Sequence, residues 1–130
     1  MPLVRIVPIS YEVRDALNTH MDLIACMLQK AVADALPGLE NPENDVDIVL
    51  LSPPLWSSRN VHNVRIEIIA SGFPDWVGRE ETVLTNVQNA WSIFIRASGG
   101  LTPLEKGLFK HCAGWMLPIQ GAIWRAFDIS

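Results

Sequence analysis

Pro2 stands directly after Met1, and its chemistry depends on whether that methionine stays. With Met1 in place the proline nitrogen is an amide with no usable lone pair. With Met1 removed it is a secondary amine. The pKa of such an amine starts from about 7.7–8.0 and falls in an apolar pocket, because burial disfavours the charged form. It is then a base near neutral pH, or an acid where its surroundings keep it protonated, and such proton transfer contributes about 10²–10⁴-fold. Leu3, Val4 and Ile6 promise dry surroundings. Proline is also frequent at position two simply because it permits removal of Met, with no catalytic part.

The other reactive side chains have plainer alternatives. Glu43, Asp45 and Asp47 gather just before an apolar run, where a carboxylate could activate water; each also reads as a solvated turn or strand-end acid. Tyr11 follows the first apolar run and could border a pocket, although packing on a turn is the simpler role. Of the five tryptophans, Trp91 belongs to an apolar helical stripe, whereas Trp56 and Trp76 fall in loop-like segments and are candidates for a pocket wall or a subunit contact. His20, His62 and His111 have no second ligand at metal-binding spacing, so no metal is expected. Cys26 and Cys112 are far apart and form no CxxC pair, which argues for two buried thiols rather than a disulfide or a zinc site.

The chain has 130 residues, 49% of them apolar and 18% charged, enough to build one core and too apolar to stay disordered. Its net charge of −4 and scattered basic residues argue against a nucleic-acid partner. No apolar run approaches the roughly 20 residues needed to cross a bilayer, and no basic flank leads into an apolar leader. A cytoplasmic protein without membrane contact is expected.

Residues 3–9 read as a strand, β-branched and closed by Ser10. Leu17, Met21, Ile24, Leu28, Val32 and Ala35 place one stripe along a helix over 14–36, ended by Pro37-Gly38. A turn over 39–44 and a strand over 46–51 follow. Residues 52–63 read as a loop or short hairpin, 64–70 as a third strand and 71–78 as a turn. A second helix over 79–98 carries Leu84, Val87, Trp91 and Phe94, and Gly99-Gly100 ends it. Thr102-Pro103-Leu104-Glu105 has the form of a capping box opening a short helix, before a closing strand within 122–129.

Val4-Arg5-Ile6 recurs as Val64-Arg65-Ile66, and each copy precedes an Arg-acid pair, Arg14-Asp15 or Arg79-Glu80. The order of elements around each copy suggests two β-α-β units in tandem. Arg5 and Arg65, inside strands, call for a carboxylate such as Glu67 or Asp47 and read as structural ion pairs. Two long helices cover one sheet face, so the other would be left apolar and would need a second subunit.

A proline after the initiator Met, opening the first strand of a duplicated β-α-β chain of this size, resembles the tautomerase superfamily. The likeness spans about residues 2–101 and is one of layout. It implies an α/β fold: tandem β-α-β units forming a four-stranded mixed sheet with two helices on one face, followed by a C-terminal extension. The whole chain, 1–130, would be a single domain with halves of about 2–60 and 61–130. It also implies a homotrimer, no cofactor and Pro2 as the catalytic group. Arg14 and Arg79 would hold the carboxylate of a small carbonyl acid. The reaction implied is keto-enol tautomerisation with Pro2 as base. With Pro2 as acid it becomes hydration, dehalogenation or decarboxylation, with Asp45 or Asp47 activating water and Tyr11 and Trp76 lining the pocket. The alternative is a catalytically silent relative that binds or assembles. Asp47 falls where the small tautomerases carry a second-strand arginine, so that part of the clamp is missing or replaced.

Overall fold

The computed structural model describes residues 2–54, 62–70, 74–97, 99–117 and 123–129. In β1 (Leu3–Pro8), Val4 and Ile6 are fully buried and alternate with Leu3 and Arg5 on the other face. Ser10 then caps α1 (Tyr11–Thr19), its hydroxyl accepting the Val13 N–H at 3.3 Å. There follow α2 (Met21–Ala35), α3 (Pro42–Asp45), β2 (Asp47–Leu50) and β3 (Val64–Ile69). A 3₁₀ turn (Pro74–Trp76) leads to α4 (Glu80–Ala97), α5 (Pro103–Lys110), β4 (Cys112–Leu117) and β5 (Ile123–Ala126).

The strands form one mixed sheet in the order β2-β1-β3-β4-β5. β1 runs parallel to β2, β3 runs parallel to β4, and the two pairs meet through the antiparallel β1–β3 ladder. Each half is thus a β-α-β unit. The expectation of four strands is corrected to five. The second unit closes with β4, which lies before the expected 122–129 strand, and β5 adds an antiparallel edge to it.

Two further corrections concern helices. The single helix expected over 14–36 is α1 and α2, parted at His20, whose N–H reaches back to the Leu17 carbonyl at 3.0 Å while its ring turns to Glu105. The expected turn over 39–44 contains most of α3. The second long helix falls where its stripe put it, and Trp91 is fully buried, its indole N–H donating to the Phe109 carbonyl at 2.9 Å. The 55–61 part of the expected 52–63 loop, with Trp56, lies outside the described residues.

The sheet faces differ. Val4, Ile6, Val64, Ile66, Ile68, Cys112 and Met116 join Leu28, Leu84, Val87 and Trp91 from α2 and α4 in one core cluster. By register the opposite face carries Leu3, Arg5, Val7, Val49, Arg65, Glu67, Ile69, Trp115 and Trp124. Val7 and Ala113 are buried on that side but stand outside the main cluster. The face is not left apolar: of the two carboxylates expected to pair with Arg5 and Arg65, Glu67 sits at its centre between both guanidinium groups, 3.0 Å from Arg5 and 2.9 Å from Arg65. Among the described residues no helix is long and apolar enough to cross a membrane.

Candidate functional site

Register decides which candidates meet. Leu3 is opposite both Asp47 and Ile69, so the end of the sheet that starts β1 also starts β2 and finishes β3. Pro2 is buried there, and its carbonyl accepts the Asp47 N–H at 3.0 Å. The chain leaving β3 brings Trp76 and Arg79 to this same end, as the link from α2 to β2 brings Asp45.

Trp76, expected in a turn as a candidate pocket wall or subunit contact, is 3% exposed, in the 3₁₀ turn, with its indole N–H donating to the Pro37 carbonyl at 3.0 Å. It walls a cavity of about 210 Å³ with Pro37, Gly38, Leu39 and Asp75. Gly38, at φ +90°, turns the chain where a side chain would be strained. Arg79 opens α4, its carbonyl accepting the Val83 N–H at 2.9 Å, and its exposed side chain borders a hollow of about 390 Å³ with Leu36 and Glu40. Pro2 lines neither of these two cavities.

The two aspartates differ. The Asp45 carboxylate accepts the Asn41 N–H at 3.0 Å, which ties it to the start of α3. Asp47 is exposed, and by its pairing with Leu3 its side chain leaves the sheet on the helix-free face.

Tyr11 and Arg14 are at the other end of β1. Six residues of strand span roughly 20 Å, so neither meets Pro2 within one protomer. Tyr11 is the first residue of α1 and 65% exposed, instead of packing on a turn. Arg14 is half-buried, and its Nε has no hydrogen-bond partner among the described residues.

One polar pair was not legible in the sequence. His20 Nε2 lies 2.8 Å from Glu105 Oε2, with the imidazole edge-on to Phe94 and Phe109. Glu105 Oε1 accepts the Thr102 N–H at 2.9 Å, completing the capping box. That backbone hydrogen bond, helped by His20, outweighs partial desolvation and holds the carboxyl below its ordinary pKa. The capping box was legible, but the second oxygen's partner is 85 residues away.

The cysteines are not alike. Burial pushes the Cys112 thiol pKa well up, while Cys26 is exposed, contrary to the reading of both as buried. Among the described residues no group of three or more His, Cys, Asp or Glu side chains could hold a metal ion. No protein-family model and no curated protein sequence matches the chain.

Proposed function

We propose that this chain is a tautomerase-like enzyme acting without a cofactor on a small carbonyl acid, with Pro2 as the acid-base group after removal of Met1. The observation that carries the reading is the burial of Pro2 at the sheet end it shares with Arg79, with its carbonyl anchored by Asp47. A ring nitrogen at that position would be held by the strand in a water-poor setting, which favours the neutral base. Arg79 is the cation that would take the substrate carboxylate and the negative charge of an enolate. Asp47 is the carboxylate available to a water-adding variant of the reaction.

The proposal extends to a homotrimer. Arg14 is roughly a strand length from Pro2 of its own protomer, so it would serve only a Pro2 in another copy. The helix-free face, with Trp124 54% exposed, is the surface that would be shared between copies.

A second reading has its own support. Pro2 lines neither the Trp76 cavity nor the hollow beside Arg79, as expected if the chain kept a scaffold and lost catalysis. Mass measurement of the N-terminus, with assays on phenylenolpyruvate and 2-hydroxymuconate, separates the two. Loss of Met1 and activity abolished by Pro2→Ala are expected of the enzyme. Retained Met1 with no turnover leaves the silent scaffold.

A further inference from the structure

At the opposite end of the sheet from Pro2, a cavity of about 510 Å³ opens between the end of α4, α5 and the last described residues of the chain. Its rim carries Arg96, Lys106 and Lys110, and its floor includes Ile95 and Ile129, which are 3% and 8% exposed. Three of the chain's ten basic residues thus border one hollow of a protein whose net charge is −4. No described carboxylate pairs with Lys106 or Lys110. The acid nearest in sequence, Glu105, has its two oxygens committed to Thr102 and His20. Asp128 is exposed between the buried Phe127 and Ile129.

Helix polarity accounts for part of this arrangement, since Arg96 and Lys110 occupy the last turns of α4 and α5, where a cation is favoured. It does not account for Lys106, which repels Lys110 one turn away. Nor does it account for Gly107, a residue that weakens the middle of an eight-residue helix. A Cβ at Gly107 would meet nothing within 4 Å, and its φ is not in the left-handed region, so neither crowding nor backbone geometry requires glycine there. Gly107 lines the cavity, where a side chain would project into open space.

The geometry points to a second binding site, in which Arg96, Lys106 and Lys110 hold the phosphate of a small phosphomonoester whose apolar body rests on Ile95 and Ile129. Lysines serve as point charges for phosphate, and a monoester is mostly dianionic above its second pKa of about 6. The apolar floor, absent from a simple surface cluster of lysines, selects an ester over the free ion.

Phenyl phosphate, inorganic phosphate and phenol are the probes, titrated calorimetrically into the full chain at about pH 7.5 and low salt. Phenyl phosphate is expected to bind about tenfold tighter than inorganic phosphate, with phenol silent. Lys106→Ala with Lys110→Ala is expected to weaken phenyl phosphate binding at least about tenfold, and Lys30→Ala to leave it unchanged. Gly107→Ala should raise Tm while weakening binding, a combination that a purely structural role for Gly107 does not produce. Should the double alanine variant fail to fold, Lys106→Arg with Lys110→Arg keeps the charges and should bind. Absence of phenyl phosphate binding, or unchanged affinity in a folded double variant, overturns the site. Equal affinity for inorganic phosphate overturns the choice of an ester. None of these outcomes bears on Pro2.

Discussion

Arg5 and Glu67 are directly opposite in the β1–β3 ladder, with guanidinium nitrogen and carboxylate oxygen 3.0 Å apart, and Arg65 closes on the other oxygen at 2.9 Å. One carboxylate holds two cations at the centre of the sheet face the helices do not cover. Glu67→Gln leaves both guanidinium groups without a counter-charge, and an expected loss of about 1–3 kcal/mol would show in the urea midpoint. Replacing all three together by apolar residues of similar volume should cost less than Glu67→Gln alone, because no uncompensated charge remains.

The Glu105 carboxyl is held below its ordinary value of 4.5, so the folded state binds its proton less readily than the unfolded chain. The stability this contributes is present above that value and is lost as pH falls through the folded pKa. Glu105→Gln keeps a side chain that can complete the capping box but has no charge to lose. Its stability should be lower than that of the native chain at pH 7, and the gap should narrow as the pH falls below about 4.5 in an acid series of urea titrations.

Gly114 faces the core from β4, where an added Cβ would lie 2.5 Å from the Phe127 ring and 3.0 Å from Leu84. Phe127 is itself buried, so the ring has little freedom to retreat. Gly114→Ala is therefore expected to lower stability by about 1–3 kcal/mol, and Phe127→Leu in the same chain to recover part of it. Thermal unfolding of the two variants and of the native chain makes the comparison.

Placing Pro2 and Arg79 at one end of the sheet and Arg14 at the other gives the proposed catalysis an assembly test. Chains carrying Pro2→Ala and chains carrying Arg14→Ala, each inactive alone, should recover activity when unfolded, mixed and refolded together. Pro2→Ala mixed with Arg79→Ala should show no more activity than Arg79→Ala alone, because those residues belong to the same end of one protomer. Arg79 is exposed, so Arg79→Ala should change stability by no more than about 0.5 kcal/mol while raising KM.

Elements whose making is local were legible in the residues. The alternation of Val4 and Ile6 marks β1, the stripe of Leu84, Val87, Trp91 and Phe94 marks α4, and Thr102 with Glu105 marks the start of α5. The parting of α1 from α2 was not legible, since the partner of His20 is on α5. β4 was missed because Cys-Ala-Gly-Trp-Met-Leu has no clear two-residue alternation, and its glycine makes room for Phe127 from beyond the next strand. The candidate site divides in the same way. Residue types singled out Pro2 and the aspartates, because an amine or a carboxylate has its chemistry wherever it stands, whereas Arg14 and Arg79 were singled out by the resemblance in layout. The length of β1 alone sets Arg14 apart from Pro2, but only the antiparallel pairing of β1 with β3 decided that Arg79 shares an end with Pro2, because that pairing sets strand direction and forms between segments about 60 residues apart.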